Sequence, residues 1–491
     1  MVTLAELVEE LGGSCELQGV GPELRDVRHD SRAVGEGDLF VALEGERFDG
    51  RRFLEDAARA GASAALVEEA LPGDLALPVW VHPEARRIAG LAAARIHGQP
   101  SHALQVFAVT GTNGKSTVAH LIGELLRAAG REPAVLGTTG HRLAGGRVVE
   151  ATHTTPDATE LHRLFAMHRD LGGDCVVLEA SSHALVQGRL SGVDIDVAIY
   201  TNLSRDHLDY HGDMEQYAAA KSLMFSTLPE GAVAVINKDD DWSDHMCDAA
   251  RQAGAKVTTY STDAQANLRA SGLRIDTGAT YLTLSGMGIS LARLRLPLSG
   301  RFNVSNALAA SAAVLLSGAS PGPVVSGLAS VSSPPGRLER VDLPAGAPRV
   351  YVDYAHTPDA LERVLRALRE TLPDRSGRLT VVFGCGGDRD TGKRAPMGRI
   401  AAELADRVLI TSDNPRTEDP GSILQAVASG VPAGSEVELE PDRRVAIRRA
   451  LAGAAGDDVV LVAGKGHEQV QVDALGAHPF DDVSVVVEEW S

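Results

Sequence analysis

Ala108-Val-Thr-Gly-Thr-Asn-Gly-Lys-Ser-Thr117 lies between two regular patterns. β-Forming residues lead into it over 104–110, and a helical pattern leaves it. Val118, Leu121, Ile122, Leu125 and Leu126 share one face of that helix, and Gly130 stops it. The expected local structure is strand, glycine loop, helix. Gly111 and Gly114 let the backbone turn so that its N–H groups and the positive helix end surround a phosphate. Lys115 is placed to neutralise β- and γ-phosphates, and Ser116 or Thr117 to offer a hydroxyl to Mg2+. ATP or GTP is the expected ligand of Gly111, Thr112, Asn113, Gly114, Lys115, Ser116 and Thr117. An ordinary glycine turn is the bland alternative, but Gly, Lys and paired hydroxyls rarely coincide after a strand.

The general phosphate loop has a further glycine where this chain has Val109. The variant Gly-Thr-Asn-Gly-Lys-Ser-Thr resembles the loop of the Mur ligase and folylpolyglutamate synthase superfamily. That resemblance implies ATP rather than GTP.

With 491 residues the chain exceeds a single core and suggests about three domains. No apolar run reaches a membrane span, and the N-terminus lacks the basic start and apolar centre of a signal peptide. A cytoplasmic protein without membrane insertion is expected. The formal charge of −19 argues against general nucleic-acid binding. Cys15, Cys175, Cys247 and Cys385 are far apart and suggest neither zinc nor disulfides.

Up to residue 99, short β-rich runs alternate with helical stretches and read as a small α/β domain. Its Asp30-Ser-Arg-Ala-Val-Gly-Glu-Gly-Asp-Leu-Phe40 string reads as a polar turn before a strand. His97-Gly-Gln-Pro-Ser101 is a linker, and Ser332-Ser-Pro-Pro-Gly-Arg337 a second. The expected domains are therefore 1–99, 100–333 and 334–491.

Within the central one, Pro156 and Asp157 open a helix, with Asp157 placed to cap it. The apolar run ending at Glu179 reads as a buried parallel strand, and a carboxylate there is costly unless it meets a cation. Glu179 is thus a magnesium candidate. Asp206, His207, Asp209 and His211 could be a metal site, a base or a polar loop. Lys221 lies on a helical pattern among small residues, an ordinary surface lysine by default. Asn303 and Asn306 share one face of a starting helix, and Asn237-Lys-Asp-Asp-Asp241 is similar to the guanine-reading loop of GTPases.

The third segment repeats strand, loop and helix in a doubly wound α/β pattern, with polar loops after its strands. These are Tyr354-Ala-His-Thr-Pro358, Gly384-Cys-Gly-Gly-Asp-Arg389, Asp413-Asn-Pro-Arg416 and Gly464-Lys-Gly-His-Glu468. Arg389 and Arg416 offer planar forks to carboxylates, and Glu468 an anion to an ammonium group. Together they describe a pocket for a zwitterionic amino acid.

The chain resembles the Mur ligases over nearly its full length, which implies their α/β three-domain architecture: a central P-loop ATPase domain and a Rossmann-like C-terminal domain. By that resemblance Ser31 and the Glu46-Arg47-Phe48 turn contact the UDP part of the substrate, and Thr154, Thr155, Ser181, Gln187 and Arg189 the muramoyl peptide. Ser116, Glu179, His207 and Lys221, the last as a carbamate, hold Mg2+, with Lys115 completing the catalytic set. Asn303, Arg337 and His356 meet the nucleotide. Asp413, Asn414, Pro415 and Arg416, with Arg389, Gly464 and Glu468, match the pocket for meso-diaminopimelate, Arg416 holding its distal carboxylate. The resemblance implies an ATP-dependent ligase joining that amino acid to UDP-N-acetylmuramoyl-L-Ala-D-Glu in peptidoglycan precursor synthesis. A monomer with small-molecule substrates, closing its third domain over the nucleotide, is expected. A folylpolyglutamate synthase, the dipeptide-adding Mur ligase and a nucleotide switch are the alternatives.

Overall fold

The computed structural model describes residues 2–490 except 18, 46–48, 71–75, 152, 277 and 373–376. Glu46-Arg47-Phe48 and the side chain of Asp209 lie outside what is described. Among the described residues the strands form three large sheets and two two-stranded ones.

In the first large sheet Asp26–Arg28, Asp38–Val41, Ala64–Val67 and Val79–Val81 run parallel in sequence order. The helix Ala85–Ile96 buries Ile88, Ala89, Ala92 and Ala93 in the same cluster as Leu39, Leu66 and Trp80.

The central sheet has at its middle the strand Gln105–Thr110, parallel to Cys175–Glu179 on one side and Val197–Tyr200 on the other. Pro133–Gly137, Val233–Asn237 and Lys256–Ser261 extend the parallel part. All of these except Lys256–Ser261 are buried on both faces, so they read as largely apolar runs. One face packs on the helix Lys115–Ala128, whose Val118, Leu121, Ile122, Leu125 and Leu126 are all buried, together with the alanines of Arg301–Leu316. The other face carries Leu161, Leu164 and Phe165 of Ala158–Asp170 and Tyr217, Met224 and Phe225 of Met214–Ser226.

Three antiparallel strands, Leu268–Asp276, Ala279–Gly286 and Ile289–Leu296, continue the sheet at its far edge. The sequence reading did not anticipate them. Their outward positions carry Arg269, Arg274, Arg293 and Arg295, while Leu268, Leu282, Leu284 and Leu294 face the core.

The third large sheet runs Glu339–Arg340, Arg349–Asp353, Val459–Ala463, Leu379–Phe383, Arg407–Thr411, Val437–Glu440. All but the first strand are parallel. Val459–Ala463 lies between Arg349–Asp353 and Leu379–Phe383 although it is the last of the three in the chain. Chain order thus breaks there, which opens a crevice at the carboxyl ends of the strands. None of the helices among the described residues is long and apolar enough to cross a membrane.

Candidate active site

The glycine loop follows the buried strand Gln105–Thr110 because no other residue fits. Gly111 has φ 150°, and a Cβ there would run into Thr201 Oγ1. Gly114 has φ 86°, and its missing Cβ would lie 2.5 Å from Asn306 Oδ1. The loop is braced from the neighbouring strand end. Thr112 N donates to Asn202 O at 2.8 Å and Asn113 N to Asn202 Oδ1 at 3.0 Å, while Thr201 Oγ1 donates to Asn113 O at 2.6 Å. Lys115 Nζ curls back onto Gly111 O (2.8 Å) and Thr112 O (2.9 Å). Burial lowers its pKa, opposed by the charge of Glu179.

Glu179 ends the strand Cys175–Glu179 and is 2% exposed. Its Oε2 accepts Ser116 Oγ–H at 2.8 Å and Thr138 Oγ1–H at 3.3 Å, and its Oε1 accepts Thr138 N–H at 2.9 Å. A Cβ on Gly137 would overlap this carboxylate, so that glycine makes the cradle. A hydroxyl and a carboxylate in contact at a helix start are hard oxygen donors of the kind magnesium takes, and they fit it. Among the described residues no three or more His, Cys, Asp or Glu side chains are arranged to hold a metal. The expected magnesium set has only Glu179 and His207 of those types.

His207 has φ 53° and caps the turn Leu208–His211, with Nε2 3.5 Å from Asp206 Oδ2 and its ring 4.9 Å from that of His183. Lys221 is 1% exposed, and its Nζ lies 4.4 Å from the Tyr217 ring centroid. Tyr217 stacks on His211, which hydrogen-bonds Ser182 Oγ at 2.9 Å. Lys221 is therefore no surface lysine. Burial, and after it the Lys115 charge, pulls its pKa well below the ordinary value.

Above the loop opens a cavity of about 540 Å³. Residues 112–117, Thr154, Glu179, Ser181, His207 and Asn303 line it from the central segment, and Arg337 and His356 from the third. Asn237, Asp239, Asp240, Phe302 and Asn306 also line it, Asn306 lying against Gly114 of the loop. There Asn306 Nδ2 donates to Asn303 Oδ1 at 3.2 Å, and Asn303 Nδ2 to Ser299 O at 2.9 Å. Arg337 lies 4.5 Å over the Tyr354 ring and points Nη2 at Ser116 Oγ, 3.4 Å away. His356 packs on Tyr354 at 4.6 Å; burial, then Lys393, pushes its pKa down to about 4, so it is neutral at pH 7.

Several expected residues lie elsewhere. Thr155 is fully buried, its hydroxyl donating to Glu179 O (2.7 Å) and accepting from Ser181 N (3.1 Å), so it supports Ser181 from behind. Arg189 binds Thr155 O at 2.8 Å and Gln187 Oε1 at 3.0 Å and pairs with Asp157 at 3.3 Å. Asp157 occupies the N-cap of Ala158–Asp170 but makes no side-chain cap bond, contrary to expectation; its carboxylate is engaged by Arg189 instead. Ser31 starts a short turn in the first segment, and Asp30 caps that turn. Lys221 is not on the cavity wall.

The third-segment residues form a second cluster. Gly464, φ 114°, brings the backbone against Asp413, and Asp413, Asn414 and Pro415 are buried. Arg389, exposed, and Arg416, half-buried, flank Gly386, whose missing Cβ would lie 3.6 Å from Arg389 Cγ and 2.9 Å from Arg416 Nη1. Arg416 Nη1 donates to Gly387 O at 2.8 Å, which anchors one edge of its fork. Glu468 Oε2 accepts Asn414 Nδ2–H at 2.8 Å.

Comparison with known proteins agrees over all three segments. Residues 23–96 match the Mur ligase family catalytic domain, 109–314 the Mur ligase middle domain and 336–466 the Mur ligase glutamate ligase domain. A UDP-N-acetylmuramoyl-L-alanyl-D-glutamate--2,6-diaminopimelate ligase of Parasynechococcus marenigrum is 43% identical, over 98% of this chain and 97% of its own. The chain belongs to the Mur ligase family. A Pseudomonas aeruginosa ligase of the same name is 44% identical over 94% of this chain and 93% of its own. A solved structure of that name superposes with a TM-score of 0.72 at 37% identity, covering 100% of this chain and 99% of the other.

This Mur ligase also places residues at the site that sequence reasoning missed. Asp359 Oδ2 accepts Asn113 Nδ2–H at 3.1 Å and Ser204 Oγ–H at 2.9 Å, tying the third segment to the phosphate loop. As the second residue of the helix Pro358–Glu370 it reads in sequence as an ordinary helix-start acid. Tyr354 and His467, 5.2 Å apart, lie in quoted motifs whose other members drew the attention.

Proposed function

We propose that this chain is an ATP-dependent ligase that joins meso-2,6-diaminopimelate to the D-glutamate side-chain carboxylate of UDP-N-acetylmuramoyl-L-alanyl-D-glutamate, in peptidoglycan precursor synthesis. The observation that carries the reading is identity above 40% across at least 94% of the chain with relatives named for that ligation. On this reading 1–99 binds the UDP substrate, 100–333 binds ATP and 334–491 binds the amino acid. The enzyme acts as a cytoplasmic monomer.

A carboxylate is a poor electrophile at neutral pH, so the γ-phosphoryl group of ATP first activates it as an acyl phosphate. The amine then displaces phosphate through a tetrahedral intermediate. Lys115 leaves the carbonyls of its own loop for the β- and γ-phosphates, and Arg337 meets the same region from the third segment. Ser116, Glu179, His207 and Lys221 as its carbamate would hold Mg2+, which supplies charge neutralisation between the phosphates and the acceptor carboxylate. The lowered pKa of buried Lys221 favours the neutral amine that carbon dioxide can carbamylate. Thr154 and Ser181 on the cavity wall are positioned for the muramoyl peptide. Arg389 and Arg416 take carboxylates of the incoming amino acid, and Glu468 takes an ammonium.

Phosphate release with ATP and the UDP-muramoyl dipeptide, with meso-diaminopimelate or L-lysine added in parallel, tests the reading. Turnover with diaminopimelate alone is expected. Turnover with lysine refutes the role given to 413–416, and turnover with neither refutes the ligase.

A further inference from the structure

Lys465 is a fully buried lysine in the second cluster that the mechanism above does not use. Its Nζ donates to Val470 O at 2.6 Å, Glu468 Oε2 at 3.1 Å and Asn414 Oδ1 at 3.2 Å. Three donors meet three acceptors, so the ammonium is saturated. Asn414 Oδ1 also accepts from Val472 N at 2.9 Å. A backbone N–H and an ammonium can only donate, so the atom they share must be the amide oxygen. The Asn414 amide therefore has one possible orientation, and its Nδ2 is forced onto Glu468 Oε2 at 2.8 Å.

Two donors thus hold one oxygen of Glu468, whose side chain is partly exposed. The charges behind it alternate. Asp482 pairs with Arg443 at 2.7 Å, both fully buried. Asp413 lies between that pair and Lys465, 3.9 Å from the ammonium, and its Oδ1 has no hydrogen-bond partner. Burial raises the pKa of Asp413, and of the five groups Glu468 is the one that is partly exposed.

We propose that Lys465 is the positioning residue of the amine site: it orients Asn414 and Glu468 so that a single carboxylate oxygen receives the ammonium of the incoming amino acid. The proposal rests on the ligase reading above. It is distinct from a charge contact with substrate, because Lys465 is sealed from solvent and acts through Glu468. The hairpin Val470–Asp473 with Gly476–Pro479 is tied to the same ammonium through Val470. Val472 N donating to Asn414 Oδ1 and Arg416 N donating to Val472 O hold the same hairpin against residues 413–416.

The test is a double-mutant cycle on the full chain, Lys465→Met and Glu468→Gln, reading KM for the amino-acid acceptor, KM for ATP and kcat. Lys465→Met should raise the acceptor KM roughly thirtyfold or more, as for a buried charge pair broken on one side, with KM for ATP within about twofold. In the Glu468→Gln background the same change should add less than about threefold, since the group it acts through is gone. Equal losses in all three parameters, or full additivity of the two changes, would overturn the proposal. If Lys465→Met does not fold, Lys465→Gln, one atom shorter but keeping a donor, is read by the same criteria. Should the wild type accept another amino acid than diaminopimelate, the substrate reading fails, while the cycle run with that amino acid still decides the role of Lys465.

Discussion

Replacing Arg416 by alanine removes the fork assigned to the distal carboxylate of diaminopimelate. Breaking a desolvated charge pair from one side typically costs about 2–5 kcal/mol. Arg416 is half-buried, and one of its amino groups is already committed to Gly387 O at 2.8 Å. Part of the fork therefore works against the backbone rather than the ligand, and water reaches the remainder. The lower end applies, about 2–3 kcal/mol, or roughly a 30- to 150-fold rise in KM for diaminopimelate. L-Lysine has no distal carboxylate to lose, so its turnover, however slow, should be unchanged and the preference should shrink by the same factor. Phosphate release at saturating ATP and UDP-substrate, with either amino acid varied, measures both numbers. A diaminopimelate KM within threefold of wild type, or a matching loss for lysine and ATP, would refute the assignment.

Lys221→Ala should abolish turnover and regain part of it with a small added carboxylate, which replaces the lost carbamate; absence of rescue at any concentration counts against carbamylation. Asp482→Asn leaves the Arg443 guanidinium buried without its counter-charge, and urea unfolding should show a loss of about 3–5 kcal/mol; a loss below about 1 kcal/mol would mean the pair is hydrated. His162 is fully buried, and burial lowers its pKa from 6.5 to about 4. The folded state thus holds it neutral, the unfolded chain takes up a proton below pH 6.5, and stability present above that pH falls by about 3 kcal/mol down to pH 4. His162→Phe should flatten that part of the unfolding profile; an unchanged slope would assign it to other groups.

The parallel strands were legible because burial on both faces leaves a continuous apolar run. Ala64-Ala-Leu-Val67, Val79-Trp-Val81, Leu379-Thr-Val-Val-Phe383 and Val459-Val-Leu-Val-Ala463 read as such runs and are strands, while in the run Asp38-Leu-Phe-Val-Ala-Leu43 the strand stops at Val41. Leu268–Asp276 and Ile289–Leu296 escaped because their outer face is water-exposed and arginine-rich, and a bulge between Ser271 and Arg274 breaks the alternation. Glycine loops after strands announced themselves, since close backbone approach admits only glycine. What sequence could not convey is which polar side chains are consumed by the protein itself. Thr155 and Thr154 are adjacent and equally polar, yet one is spent on Glu179 O and the other lines the cavity. Lys465 looks like any lysine in a glycine-rich loop until its burial is known.

Tyr354 joins the two clusters into one machine. Its ring carries the Arg337 guanidinium at 4.5 Å and touches His356 at 4.6 Å and His467 at 5.2 Å. Arg337 reaches the phosphate loop at Ser116, whereas His467 is the neighbour of Glu468 in the second cluster. Burial raises the Tyr354 pKa, so the ring stays uncharged beside the arginine. The third segment therefore cannot withdraw the Glu468 cluster without also lifting Arg337 from Ser116 and Asp359 from Asn113. A ligase that makes an acyl phosphate must not expose it to water before the amine is seated. On the proposed assignment of Glu468, Arg389 and Arg416 to the amino acid, coupling both clusters to one ring meets that requirement, because the arrangement that brings Arg337 to the phosphate loop is the same one that presents those three residues.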